Sequence, residues 1–298
     1  MSVLERGRPQ GRRLRLPGRS RLPAALRSRL GLIGAIIICL WIVAALLAPW
    51  ITPADPLAQV FPRLQEPGGA NLLGTDAVGR DVLTRVIYGA RVSMPLAFLV
   101  VVCSMAIGTV AGAVAGYFGK GVDEVIMRIA DLVFAFPTII LAMVIAAALG
   151  PSLTNAFIAM LVVSWPGYAR VARSLVMVAR QNEYVVAGRL LGASALTSLR
   201  RDVMPNVISP ILVLATLNVG TAILELSGLS FLGLGAIPPT ADWGAMVSDG
   251  VQQFSSWWIA LYPGLAILTI VVAFNLVGDS LRDSLDPRTA TVLNRGKR

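Results

Sequence analysis

Apolar residues run along this 298-residue chain in long uncharged blocks, and the charged residues are gathered in the short stretches between them. A helix crosses a hydrocarbon core with about 20 apolar residues at about 1.5 Å rise each. The first such block, residues 30–49, predicts a membrane helix directly after an arginine-rich stretch at 6–29. A signal peptide also begins basic and then apolar. However, residues 32–47 are long for its apolar core, and no small-x-small cleavage pattern precedes Pro49, so the segment reads as a retained anchor. Residues 92–119 form a second block, with Gly108, Gly112 and Gly116 at four-residue spacing, which puts small residues on one helix face for close packing. Residues 132–169 are too long for one helix and are interrupted at Gly150-Pro151-Ser152, predicting a reversal between spans at 133–149 and 153–168. Spans five and six are predicted at 207–226 and 257–277, the last opening on Trp257, Trp258 and Tyr262 as an interfacial aromatic belt.

The expected fold class is therefore all-α, a polytopic membrane helical bundle of about six transmembrane helices. It divides into a basic leader (1–29), a first span (30–49), an external segment (50–91), a core (92–288) holding a cytoplasmic loop at 169–205, and a tail (289–298). Composition agrees: 56% of residues are hydrophobic and 14% charged, against about a quarter charged in soluble domains. The charge also sets an orientation. Twenty-two of the 26 basic residues fall on one side of the six predicted spans, leaving Arg63, Arg80, Arg85 and Arg91 on the other. By the positive-inside rule both termini are expected in the cytoplasm. The net charge of +10 flanks apolar runs instead of forming a basic stripe with aromatics, so nucleic acid is not an expected partner. Membrane lipid is.

Several chemistries are excluded. The chain has no histidine, which removes imidazole metal sites, Ser-His-Asp triads and His-based acid–base catalysis. Lys120 and Lys297 are its only lysines, both outside the spans, so an intramembrane Ser-Lys hydrolase has no base. No internal repeat or mid-membrane charge cluster suggests a secondary transporter. Cys39 and Cys103 sit in apolar runs and are expected to be packing residues. Gly119-Lys120-Gly121 lacks the spacing and hydroxyl of a phosphate loop and reads as a turn. No catalytic residue, metal site or cofactor is expected on this chain.

Two connections exceed what antiparallel helices need, the external segment and the loop at 169–205, and function is sought there first. In the loop, Glu183-Tyr184-Val185-Val186-Ala187-Gly188-Arg189-Leu190-Leu191-Gly192 predicts a short helix ending at Gly192, with Val186 and Leu190 on one face and Met204-Pro205 following. Such a helix could lie on the membrane surface or enter a groove on a soluble partner, and periodicity leaves both open.

These residues resemble the EAA loop of binding-protein-dependent ABC importer permeases. Ala187, Gly192, the Arg189-Leu190-Leu191 run and Met204-Pro205 fit its pattern. Val186 stands where the family commonly has glutamate, and Gly188 where it has a second alanine. Further fragments narrow the resemblance to the C-type subunit of dipeptide, oligopeptide and nickel importers: Leu73-Gly74-Thr75-Asp76, Gly79-Arg80-Asp81, Tyr88-Gly89-Ala90-Arg91-Val92-Ser93, Phe136-Pro137, Ser164-Trp165-Pro166-Gly167-Tyr168-Ala169-Arg170, Ser230-Phe231-Leu232-Gly233-Leu234-Gly235, Trp243-Gly244, Asn275-Leu276-Val277-Gly278-Asp279 and Leu285-Asp286-Pro287. The resemblance implies half of a translocation pathway in the bacterial cytoplasmic membrane. Its partners would be a second permease subunit, two cytoplasmic ATPases that hold the ATP and Mg, and an external binding protein delivering a peptide. Import of nickel or another small solute, or a non-transporting assembly role, are the alternatives.

Under that resemblance, Glu183, Val186, Ala187, Gly188, Leu190, Leu191, Gly192 and Pro205 are the expected ATPase-coupling residues. Glu225 in the fifth span is the clearest intramembrane ionisable group, placed either on the pathway, near a peptide's ammonium, or in a hydrogen bond to a neighbouring helix. Asn218 in that span and Ser227 directly after it are further pathway candidates. Asp76, Arg80 and Asp81 are expected either to meet the binding protein or to pair among themselves and order the external segment.

Overall fold

The computed structural model describes residues 28–52 and 54–285. The 289–298 tail, Asp286-Pro287 and all but the end of the arginine-rich leader lie outside them. Among the described residues there is no β-strand, only two isolated bridges, Gly68 with Asn71 and Thr75 with Asp81.

The first helix, α1 (Arg29–Ile51), starts where the Ser28 hydroxyl accepts the Gly31 amide at 2.9 Å. The second, α2 (Val82–Phe118), begins well before the uncharged block that predicted it. The helix tolerates Arg85 because that side chain is buried and donates to the carbonyls of Pro56 and Pro239 at 3.2 and 3.3 Å. Two short helices follow, α3 (Lys120–Phe134) and α4 (Thr138–Leu149), bent by 87° at the break between them. This corrects the straight third span predicted over 133–149. Pro137 has no amide proton to give, and its ring disfavours helical geometry at Phe136, so one helix ends and another begins at that point.

The predicted reversal at Gly150-Pro151-Ser152 is present. Gly150 has φ +90°, and Ser152 caps α5 (Leu153–Ala179) by accepting the Asn155 amide at 3.0 Å. α5 runs on past Tyr168, the end of the apolar pattern, and then gives way to α6 (Glu183–Leu190) and α7 (Ala195–Ser198). A π-helical turn, Leu199–Val203, leads into α8 (Met204–Phe231); α9 (Trp243–Val251) and α10 (Trp258–Leu285) complete the described chain. Among the described residues, four helical stretches are long and apolar enough to cross a membrane: α1, α2, Ala195–Phe231 and α10. The α3–α4 pair passes the same test when its two bent helices are taken together. α5 has the length, 27 residues, but its second half carries Arg170 and Arg173.

The bundle is built on the contact between α2 and α5. A Cβ at Gly108 or Gly112 would run into the carbonyl oxygens of Trp165 and Ala169, and one at Gly116 would come within 2.7 Å of that of Arg173. Three glycines at four-residue spacing thus meet three α5 carbonyls at the same spacing. α1 lies along α10, where a Cβ at Gly34 would come 2.6 Å from the Ala273 oxygen and Trp41 donates to Thr269 at 3.1 Å. α9 is fixed to α2 by Trp243, whose indole donates to the Val86 carbonyl at 2.8 Å, and by Ser93, which donates to Asp242 at 2.8 Å.

Two expectations are corrected here. Trp258 is buried and its indole donates to the Thr75 carbonyl at 3.1 Å, so it belongs to the core and only its neighbour Trp257 is exposed. Cys39 is exposed on α1 among exposed Ile36, Leu40 and Val43, because one face of that helix has no protein neighbour.

Candidate functional site

The loop between α5 and α8 is held by a few anchors and leaves one apolar face bare. Val185 is fully buried. Beside it the Tyr184 hydroxyl accepts the Asn206 amide at 2.9 Å and donates to the Asp202 carbonyl at 3.3 Å. α6 ends in a Schellman motif: the Ala193 amide reaches the Gly188 carbonyl at 3.1 Å and the Gly192 amide reaches Arg189 at 3.0 Å. Gly192 itself has φ +94°, a conformation that costs any residue with a Cβ about 1–2 kcal/mol. The chain then restarts at Ser194, whose hydroxyl accepts the Thr197 amide at 3.3 Å.

Val186, Ala187, Leu190 and Leu191 are exposed, the two leucines at 83% and 89%, and Glu183 and Pro205 are exposed at the two ends of the loop. Gly188 is half-buried with Asp202 3.8 Å from where its Cβ would sit. Seven of the eight predicted coupling residues are thus exposed on this loop, and Gly188 is half-buried. The loop is tied to the bundle by Arg189, stacked 5.8 Å over the Tyr117 ring, and by Arg180, which donates to the Gly116 and Tyr117 carbonyls at 2.8 and 2.9 Å. Both grips are on the C-terminal end of α2, where cations are favoured by the exposed carbonyls.

A second feature lies inside the bundle. A cavity of about 280 Å³ opens between α2, α5, α8 and the α3–α4 elbow. Glu225, Asn218, Tyr168, Ser104, Thr138 and Phe134 line it. Asn218 donates to the Tyr168 hydroxyl at 2.9 Å. Glu225 has no hydrogen-bonding or ionic partner among the described residues, and the hydroxyl of the fully buried Ser104 has none either. Of the predicted pathway residues, Glu225 and Asn218 meet here. Ser227 does not: it is buried on the face of α8 that receives Gly244 of α9.

Ser104 and Tyr168 were not singled out from the sequence. A signal for Ser104 existed, since it continues the Gly108, Gly112, Gly116 spacing by one turn.

The elbow at the cavity's edge is braced by charge. Asp131 of α3 pairs with Arg170 of α5 at 2.6 Å, Asp123 takes a two-pronged bond from Arg173, and Arg170 also stacks 4.1 Å over Phe134.

In the external segment Asp76, Arg80 and Asp81 are all buried and spend their polar groups on one another and on the backbone. Arg80 donates to Asp76 at 2.5 Å, and Asp76 also accepts the amides of Val78 and Arg80 at 3.0 and 2.9 Å. Asp81 caps α2 through Thr84 and accepts the Asn71 amide group at 2.8 Å. Of the two roles left open for them, internal pairing is the one their geometry displays, and their burial leaves Asp81 no surface for a partner. Asp76 and Arg80 also edge a cavity of about 500 Å³ with Asp249 of α9. Burial pushes the Asp249 carboxyl above its ordinary value, against the pull of Arg80 and Arg85.

The chain matches known proteins over most of its length. Residues 108–291, more than half of the chain, match the family of binding-protein-dependent transport system inner membrane components, and residues 25–67 match the N-terminal transmembrane domain of oligopeptide transport permease C. A dipeptide transport system permease protein of Alkalihalophilus pseudofirmus is 42% identical over 91% of this chain and 90% of its own. The one from Escherichia coli strain K12 is 45% identical over 88% and 90%. A putative peptide transport system permease protein of Brucella suis is 44% identical over 88% and 89%. The chain thus belongs to the family of binding-protein-dependent transport system inner membrane components, as a multi-pass permease subunit.

Proposed function

We propose that this chain is one of the two permease subunits of an ATP-driven peptide importer in the bacterial cytoplasmic membrane. It forms half of the translocation pathway and takes its energy from two ATPase subunits that dock on the loop between α5 and α8. The observation that carries this reading is the bare end of α6, where Leu190 and Leu191 stand in water on a helix whose other side is anchored by Val185 and Tyr184. An apolar helix end held rigidly outward matches the way amphipathic helices enter hydrophobic grooves. ATP and Mg are held by the ATPases, and an external binding protein delivers the peptide. The six spans are α1, α2, the bent α3–α4 pair, α5, α8 and α10, with both termini in the cytoplasm. Basic-residue placement supports that count and orientation.

The peptide substrate is supported by the relatives' names and by the open cavity, which a second permease subunit would complete. Glu225 and Asn218 face the path. The coupling surface is tested with Leu190→Asp combined with Leu191→Asp. Both side chains are exposed, so the variant should reach the membrane in wild-type amount, yet fail to co-purify the ATPases in detergent. ATPases retained at wild-type stoichiometry would refute the assignment.

A further inference from the structure

The cavity between α2, α5 and α8 has a chemistry more specific than a water-filled path requires. Its only acidic or basic lining residue is Glu225. A carboxylate at membrane depth is costly unless a cation, a hydrogen-bond donor or water meets it, and no protein group among the described residues does so. The Ser104 hydroxyl is likewise buried and unpartnered. Asn218 uses its amide nitrogen on Tyr168, which leaves its carbonyl oxygen available, and the Tyr168 proton remains to be donated. Arg170, which stacks over Phe134, is already paired with Asp131 and does not line the cavity. The cavity therefore offers one carboxylate, an amide carbonyl, the hydroxyls of Thr138, Ser164 and Thr221 and a phenol, and no positive charge. At about 280 Å³ it has room for roughly nine waters at about 30 Å³ each, and so for more than a lone ion.

We propose that this cavity binds the protonated amino terminus of the peptide in transit, with Glu225 as its counter-charge, the Asn218 carbonyl as a further acceptor, and Tyr168 donating to the first peptide carbonyl. An ammonium carries three donors and no acceptor, which the two Glu225 carboxylate oxygens and the Asn218 carbonyl complement. The free carboxyl end of the peptide finds no partner in this half of the path, so the site gives the peptide a direction: amino end on this subunit. The inference rests on the reading of the chain as a peptide permease.

The test uses the full complex in proteoliposomes, this permease with its companion permease, ATPases and binding protein. Uptake of alanyl-alanine is compared with uptake of its desamino analogue, N-propionyl-alanine, at saturating binding protein, for the wild type, Glu225→Gln and Glu225→Asp. The binding protein is common to every arm, so its own discrimination cancels in the ratio of ratios. Glu225→Gln should lower the amine-to-desamino uptake ratio at least tenfold while loaded binding protein still stimulates ATP hydrolysis. Glu225→Asp should recover most of the ratio.

An unchanged ratio in Glu225→Gln overturns the site while leaving the permease reading intact. Loss of ATPase stimulation in both Glu225→Gln and Glu225→Asp assigns the residue a structural role and also overturns it. A wild-type complex that hydrolyses ATP but moves neither compound, and imports a non-peptide solute instead, removes the peptide reading and the site with it.

Discussion

Gly112 shows what one missing methyl does in this bundle. Its α-carbon lets the backbone of α2 rest on that of α5 at Ala169, and any side chain would have to displace a carbonyl instead of a flexible neighbour. Overpacking of this kind costs typically about 1–3 kcal/mol, and more where backbone must move. Gly112→Leu should therefore lower the melting temperature of the detergent-solubilised protein by many degrees, whereas Gly121→Leu, where nothing lies within 4 Å, should not; equal melting temperatures would contradict the packing argument. Asp249 makes a different residue-scale claim. Its carboxyl is raised by burial, so the fold favours the protonated acid; the resulting stability is fully present below about pH 3.8 and is lost as pH rises through the folded value. Asp249→Asn keeps a neutral group there. The wild type should lose melting temperature relative to that variant between pH 4 and pH 7, and a constant difference would show that the residue does not titrate in this range.

Among the elements, α6 and the α3–α4 elbow differ in how far their shape could be read from sequence. The stop at Gly192 was legible because a helix followed by glycine closes in a left-handed cap, and the hydrogen bonds from Gly192 and Ala193 close it in that way. Replacing Gly192 with valine leaves room for the side chain but strains the cap, so α6 should lose its orientation. The expected outcome is membrane insertion at wild-type level with transport per ATP reduced several-fold; normal coupling would show that the cap is dispensable. The elbow was not legible as such. Apolar residues continue through Phe134, Phe136 and Ile139, so periodicity hides the break at Pro137 and the Asp131–Arg170 and Asp123–Arg173 pairs that tie α3 to α5. Those pairs join residues about forty to fifty positions apart, beyond the reach of any local pattern. Helix starts were misplaced for a related reason: α2 begins at Val82 because Arg85 is satisfied by carbonyls from two distant segments.

Across the whole molecule, the α2–α5 pair connects the two functional surfaces. Its cytoplasmic end is gripped by Arg180 and Arg189 of the loop, and further along the same two helices supply Ser104 and Tyr168 to the cavity. Under the proposed coupling, a displacement imposed on α6 would reach the cavity walls through a contact of α2 and α5 that is backbone against backbone at Gly112 and Ala169. The sequence indicated a helical membrane bundle and the loop's residues. It could not indicate that Glu225, Asn218, Tyr168 and Ser104, from three helices, share one cavity, because nothing in a linear pattern encodes the rotation of one helix against another. The central claim is that this subunit imports peptides by coupling through the exposed end of α6. It is tested most directly by ATP-dependent uptake of a labelled dipeptide into proteoliposomes holding the complete complex, wild type against the Leu190→Asp, Leu191→Asp variant. The account predicts uptake by the wild type and none above background for the variant; uptake by the variant at the wild-type rate would contradict it.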